Sequence, residues 1–305
     1  MADLRKPSWL KKRIFGSGRT GEVLCLLKRK ELHTVCQGAR CPNLSECFDR
    51  GTATFMILGE VCTRECGFCG VTSPLSPLRS GEGPVLGKPE ADEPLRVAEA
   101  VAELKLAHAV ITSVTRDDLS DGGAGHFADT VRAIRRLNPS TTIEILTPDF
   151  KGAFAVLSAF DNAEPDIFNH NLETVPSLYH VRPGASHARS LSLLLAFKER
   201  FPSVMTKSGL MVGLGESREE IFQALEDLRK HRVDAVTVGQ YLSPTARHVP
   251  VREYVTPEQF ALYEKQARAL GFMEAFCGPF VRSSYRAGEM ARHRERRAPA
   301  FSGGE

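Results

Sequence analysis

From residue 53 onward, short apolar runs of β-type residues alternate with longer stretches whose apolar positions recur at helical spacing. The runs predict strands over 53–58, 109–114, 142–146, 166–169, 204–212 and 235–240. The stretches between them predict amphipathic helices over 94–106, 128–137, 190–200, 218–231 and 257–270. Strand–helix alternation of this kind calls for a parallel sheet with right-handed crossovers. Six repeats make an α/β fold, an incomplete (β/α)6 TIM-like barrel rather than a full eight-unit one. In such barrels the chemistry sits on loops at the C-terminal ends of the strands.

The flanks break this rhythm. The first fifty residues are polar and irregular apart from a helix expected over 22–34. Residues 72–94 are rich in Pro and Gly and predict a long surface loop. From Gly271 the chain is expected to leave the barrel, with a strand-like run at Phe280-Val281. The expected division is an N-terminal extension (1–52), a partial barrel (53–270) and a C-terminal segment (271–305).

Composition narrows the class. At 42% hydrophobic and 25% charged residues, the 305-residue chain is ordinary for a globular protein with a sizeable core. No run approaches the roughly eighteen apolar residues of a membrane span. The basic N-terminus lacks the apolar stretch of a secretory signal, so a cytoplasmic location is expected. A net charge of +3 gives no global field for nucleic acid. Basic residues gather at the ends, at Lys11, Lys12 and Arg13 and at Arg292, Arg294, Arg296 and Arg297. These read either as solvated tails or as a docking surface for an acidic partner.

Cysteine placement changes the picture most. Six of eight cysteines lie between Cys36 and Cys69, as Cys36-x4-Cys41-x5-Cys47 and Cys62-x3-Cys66-x2-Cys69. In a reducing compartment clustered cysteines mean metal or redox chemistry. Three thiolates fall one short of a closed site. The second group directly follows the first barrel strand. Its spacing suits three corners of an iron–sulfur cube with the fourth iron open. Gly67 eases the turn, and Phe68 is placed to cover a cluster or stack on an adenine. A structural zinc site remains the other reading, but it normally wants four Cys or His ligands. Only His33 is near. Cys25 and Cys277 fall outside both groups and read as core or spectator thiols.

The pattern Cys-x3-Cys-x2-Cys after the first strand of such a barrel resembles the radical S-adenosylmethionine superfamily. That resemblance implies a 4Fe-4S cluster on Cys62, Cys66 and Cys69, and reductive cleavage of S-adenosylmethionine to a 5′-deoxyadenosyl radical. Further blocks resemble one family within it, the lipoyl synthases. These are Cys36–Cys47 (CQGARCPNLSEC), Arg282-Ser283-Ser284-Tyr285-Arg286, FMILG at 55–59, TSVTRDDLSDGG at 112–123, PDFKG at 148–152, FNHNLETV at 168–175, TKSGLMVGLGE at 206–216 and TVGQYL at 237–242. The resemblance runs from about residue 5 to 288.

It implies a second 4Fe-4S cluster on Cys36, Cys41 and Cys47, closed by a serine oxygen from Ser284 or, alternatively, Ser283. A hard oxygen on soft iron is a bond that opens readily, which fits a cluster that donates its sulfur. The implied reaction adds two sulfur atoms, at C6 and C8 of an octanoyl group on a lysine. Since both clusters must face that chain, the resemblance implies that the N- and C-terminal extensions fold together over the barrel mouth. The implied partners are an octanoylated lipoyl carrier domain or glycine-cleavage H protein, and a reductant such as ferredoxin or flavodoxin.

Other positions carry weaker signals. Asn169, Asn171 and Glu173 end the fourth predicted strand, where alternation would place them on one face toward S-adenosylmethionine. A capped turn with buried amides is the other reading. Lys207 and Arg182 read either as substrate-binding cations or as internal ion pairs. The glycine-rich Asp121–Gly125 stretch does not form G-x-G-x-x-G and predicts a tight turn rather than a phosphate cradle. Two features depart from the family. Residues 72–94 are longer and lack a short Gly-Arg-Pro stretch, and His187 stands where tyrosine is usual. Two competing readings are a different cluster-bearing radical enzyme such as a methylthiotransferase, and a two-cluster electron carrier or iron-responsive binding protein. The first would lack the Cys36–Cys47 spacing and the RSSYR ending. The second has no need of a barrel and usually closes each cluster with four cysteines.

Overall fold

The computed structural model describes residues 5–11, 18–38, 41, 43–49, 52–73 and 86–284. Lys12, Arg13, Tyr285, Arg286, the C-terminal arginines and most of the long loop (74–85) lie outside the described residues.

Helix α1 (Gly18–Arg29) leads to a two-residue strand β1 (His33–Thr34), then to short helices α2 (Val35–Gly38) and α3 (Leu44–Asp49). The barrel strands follow: β2 (Thr52–Ile57), β3 (His108–Ser113), β4 (Thr142–Leu146), β5 (Ile167–Asn169), β6 (Met205–Val212) and β7 (Ala235–Gln240). Helices α4 (Glu93–Glu103), α5 (Ala124–Leu137), α6 (His187–Arg200), α7 (Arg218–Lys230) and α8 (Pro257–Ala269) alternate with them. The helix starts are written locally. Ser186 accepts from the Arg189 N–H, Thr256 from Gln259 ahead of a proline at the first turn, and Ser217 forms a reciprocal capping box with Glu220.

The expected partial barrel is present, with one strand more. Strands β2 to β7 pair in parallel in sequence order. After α8 the chain does not leave at once. Glu274–Gly278 forms β8, parallel to β7 with Ala275 opposite Val236. Phe280-Val281 is a turn beyond it. β1 pairs antiparallel with β2 at the opposite edge, so the sheet stays open. Between β4 and β5 the crossover is two 3-10 segments, Phe150–Gly152 and Phe154–Phe160.

Apolar side chains of the strands and the inner helix faces form one dominant core, including Phe55, Ile57, Ile111, Phe168, Leu194 and Val236. Around β5, Phe168 stacks on Phe197 at 3.7 Å and Phe160 meets Phe197 edge-on at 6.1 Å. These rings seat α6 against the sheet. Among the described residues no helix is long and apolar enough to cross a membrane.

Candidate functional site

All strands from β2 to β8 point their C-terminal ends toward one mouth. There β2 exits through Leu58 and Gly59, both at positive φ (68° and 86°). The Leu58 N–H donates to Glu93 at 2.9 Å, and its carbonyl accepts from Arg116 at 3.3 Å. The loop bearing Cys62, Cys66 and Cys69 follows, and its backbone is tied to three other strand ends. The Thr63 N–H donates to the Thr115 carbonyl at 2.9 Å, after β3. The Gly67 N–H donates to the Val181 carbonyl at 2.8 Å, after β5. The Val249 N–H donates to the Gly67 carbonyl at 2.8 Å, after β7. A Cβ on Gly67 would lie 2.9 Å from a Val249 methyl, so a side chain here would have to displace that methyl. His248 Nε2 meets the Cys69 carbonyl at 3.0 Å.

Arg64, between the first two cysteines of that loop, is buried and turned away from them. Its Nε donates to Asp117 at 2.7 Å and its guanidinium reaches Asp149 at 2.6 Å. The loops after β2, β3 and β4 are thus clamped by one cation. Burial alone would raise the Asp149 carboxyl, but the hydrogen bonds and charge of Arg64 outweigh it and hold it at about 2.

Cys66 and Cys69 both feel the charge of Cys62. Burial pushes Cys66 up to about 12, with Cys69, Cys62 and Glu173 adding to the effect and Arg182 opposing it. Burial likewise takes Cys69 to about 11. Thiols held this way ligate as thiolates once a metal centre supplies the positive charge.

The first group forms a second cluster of thiols outside the barrel. Cys36 lies on α2, Cys41 beyond it and Cys47 on α3. The Cys41 N–H donates to the Cys36 carbonyl at 3.0 Å, and the Cys47 N–H to the Asn43 carbonyl at 2.9 Å. Burial pushes Cys36 up to about 12, with Cys41 and Cys47 adding to it. The segments that carry the two groups approach each other, since a Cβ on Gly70 would lie 3.4 Å from the Gly38 carbonyl. Among the described residues no three His, Cys, Asp or Glu side chains converge closely enough for a single ion. An iron–sulfur cube instead takes one thiolate on each of three separate irons.

The C-terminal segment reaches this first group. The Asn43 side chain donates to the Phe280 carbonyl at 2.6 Å, across 237 residues of sequence. Arg282 follows beside Cys41, its guanidinium drawn down by burial and held up by that thiol. Ser283 and Ser284 are partly buried in the next turn. The Ser283 hydroxyl accepts from Asn171 Nδ2 at 3.3 Å.

The residues expected to meet S-adenosylmethionine separate into two levels. Asn171 and Glu173 lie together, with Asn171 Nδ2 donating to Glu173 at 3.0 Å. Asn169 sits one level lower and donates to Glu144 at 2.9 Å. β5 ends at Asn169, and Glu173 has φ of 68°, so strict alternation does not extend across the three positions. The side-chain oxygens of Asn169 and Asn171 are buried without a partner. Two buried acceptors beside an open barrel end fit a ligand that brings amino and hydroxyl donors, as S-adenosylmethionine does. Phe68 is partly buried on the cysteine loop itself.

Burial raises the Glu173 carboxyl, while Arg182 and Asn171 oppose it. Arg182 donates to the Asn171 carbonyl at 3.1 Å and to the Tyr179 hydroxyl at 3.1 Å. His170, behind them, uses both ring nitrogens, on the Thr147 carbonyl at 2.8 Å and Ser190 at 2.9 Å. Burial drops it to about 4, which keeps the ring neutral. Lys207 is resolved as an internal ion pair, fully buried against Glu144 at 3.0 Å. Asp121 closes the expected tight turn by accepting from the Gly123 and Gly125 N–H groups. His187 opens α6 and meets Tyr179 edge-on at 5.5 Å. Cys277 packs against the core, and Cys25 is exposed.

Arg64, Tyr179, His170, His248 and Asn43 were not singled out by sequence reasoning. Arg64 and Asn43 lie inside the two cysteine motifs, which was the available signal. Their partners are too distant in sequence for spacing to reveal.

Comparison with known proteins fits this geometry. The family model described as the Radical SAM superfamily matches residues 56–228, from inside β2 to the end of α7. The chain is similar to the lipoyl synthase of Dechloromonas aromatica, 52% identical over 291 residues, which cover 94% of this chain and 90% of the relative. It is also similar to the lipoyl synthase of Thiobacillus denitrificans, 53% identical over 289 residues with 94% and 90% coverage. Among solved structures, HydG, a maturase of the FeFe-hydrogenase, superposes with a TM-score of 0.57 at 13% identity, covering 89% of this chain and 66% of that one. Streptococcus suis SuiB bound to S-adenosylmethionine gives 0.54 at 14% identity, covering 79% and 54%. These distant likenesses concern the fold alone. With the sequence relatives matching nearly end to end, the chain belongs to the lipoyl synthase family of the radical S-adenosylmethionine superfamily.

Proposed function

We propose that this protein inserts two sulfur atoms, at C6 and C8, into an octanoyl chain attached to a lysine of a lipoyl carrier domain or glycine-cleavage H protein. The observation that supports the reading is the approach of the two cysteine-bearing segments to each other, one on a strand-end loop and the other joined to the C-terminal segment. In this reading Cys62, Cys66 and Cys69 hold a 4Fe-4S cluster with one iron left for S-adenosylmethionine. Asn169, Asn171, Glu173 and Phe68 line the place of that ligand. Cys36, Cys41, Cys47 and Ser284 hold the second 4Fe-4S cluster. Ser284 is favoured over Ser283 because the Ser283 hydroxyl is engaged by Asn171 on the cofactor side.

Unactivated C–H bonds offer neither an acidic proton nor an electrophile, so the bound groups supply radical and sulfur chemistry that side chains do not. The residues of the chain bind and orient. Arg64 fixes the cysteine loop to its neighbours, and Arg182 and Tyr179 brace Asn171. An electron donor such as ferredoxin or flavodoxin, and a cytoplasmic location, complete the proposal.

The test separates the triplets. Wild-type protein reconstituted without oxygen should carry about eight irons in two clusters. Replacing Cys36, Cys41 and Cys47 together by alanine should leave about four irons and retain S-adenosylmethionine cleavage, with sulfur transfer lost. If that variant still transfers sulfur, or if wild type carries a single cluster, the reading is wrong.

A further inference from the structure

The serine proposed to close the first cluster arrives from the far end of the chain, so something must set where it arrives. An oxygen–iron bond is weak for this purpose, because a hard alkoxide on soft iron opens easily. Among the described residues several contacts hold the turn that carries Ser284, including the Asn171 Nδ2 bond to the Ser283 hydroxyl at 3.3 Å. At its start, the Val281 N–H donates to the Gly278 carbonyl at 3.1 Å, which anchors the turn to the end of β8. From below, the Val281 carbonyl presses onto β7 at Gly239, where a Cβ would lie only 2.1 Å away. From the side, Asn43 donates to the Phe280 carbonyl at 2.6 Å.

These contacts differ in what they join. The contacts to Gly278, Gly239 and Asn171 hold the turn to the barrel. Arg282 lies beside Cys41 by charge, whereas Asn43 ties the turn to the first cysteine group by a hydrogen bond. Asn43 lies between Cys41 and Cys47, and its own carbonyl takes the Cys47 N–H at 2.9 Å. It is 1% exposed, so its amide cannot exchange this bond for one to water without the segment opening. The hydrogen bond also requires a donor, and the acceptor is a main-chain carbonyl. An aspartate of the same shape would be acceptor-only when ionised and would repel that carbonyl.

We propose that Asn43 is a positioning residue that latches the Phe280–Ser284 turn onto the first cysteine group, setting the distance from Ser284 to the cluster those cysteines would hold. The inference rests on the reading that Ser284 closes that cluster. It adds that the closure is set by a side chain inside the cysteine motif and not by the serine alone.

Hydrogen exchange on the cluster-free chain tests the latch without any bound group. In Asn43→Ala and Asn43→Asp, amides over 278–284 should exchange faster, while β2 to β7 and the loop over 62–69 keep their wild-type protection. In reconstituted protein both variants should keep S-adenosylmethionine cleavage. Sulfur insertion should fall by roughly a hundredfold, the cost of an ångström-scale misplacement. Unchanged exchange over 278–284 in both variants overturns the latch. So does faster exchange throughout the barrel, or an Asn43→Asp protein with full sulfur insertion. Wild-type protein that inserts no sulfur would instead sink the functional reading, and leave the exchange result to judge the latch.

Discussion

Arg64 stands between Cys62 and Cys66, yet its guanidinium serves Asp117 and Asp149 on two other loops. Asp149 is fully buried, and among the described residues Arg189 also pairs with it at 3.1 Å. Arg64→Ala leaves a buried carboxylate half-compensated, and breaking a buried pair this way costs about 3–5 kcal/mol. With Arg189 retained, the loss should fall near the lower end, read as a lower urea midpoint at unchanged slope. A midpoint equal to wild type would show that the clamp carries no stability. At the same scale, Ser284→Ala should spare S-adenosylmethionine cleavage and cripple sulfur insertion, while Ser283→Ala does so far less. The reverse order would transfer the ligand role to Ser283. Cysteine spacing made both triplets legible in the sequence, because ligand sets on one short loop are local. The Arg64 clamp was not legible, since its carboxylates lie 53 and 85 residues away.

Among the elements, the long apolar strands and capped helices were readable because pattern and cap agree locally. β8 was not. Its sequence, Glu-Ala-Phe-Cys-Gly, has no β-branched residue, and it becomes a strand through the ladder β7 offers. β1 is two residues long, too short for any period to register. Inside the barrel, β4 and β6 carry a fully buried pair, Glu144 and Lys207, with His108 at 3.5 Å from the carboxylate. Burial alone would raise Glu144, but Lys207 and His108 outweigh it and hold it at about 2 against an ordinary 4.5. A carboxyl depressed in the folded state stabilises above its ordinary value and loses that contribution as protons return. Stability should therefore be full above pH 4.5 and drain away as pH falls toward about 2. Lys207→Met should remove the depression and strand the carboxylate, so unfolding under acid begins at higher pH. Coincident acid transitions for the variant and wild type would contradict this. Asn169 donates to the same carboxylate, so the pair also holds one of the residues assigned to the cofactor.

At the scale of the whole molecule, the open sheet matters more than its strand count. An open barrel leaves its mouth to be finished by other segments, and here α2, α3 and the turn after β8 do so, joined at Asn43 and Phe280. The pattern of sequence blocks indicated that both termini belong to the site. How they meet was not legible, because one hydrogen bond and one glycine contact across the fold have no local signature. Family membership follows from the near end-to-end match, and the chemistry assigned to the site makes one demand on the molecule. Reduced, reconstituted protein should be mixed with S-adenosylmethionine and an octanoyl-lysine peptide without oxygen, and the peptide mass measured. The expected product has gained two sulfur atoms, with a thiol in place of one hydrogen at each of C6 and C8 and the hydrogen count unchanged under reducing conditions, formed as S-adenosylmethionine is consumed. Cleavage of S-adenosylmethionine with the peptide mass unchanged would contradict it.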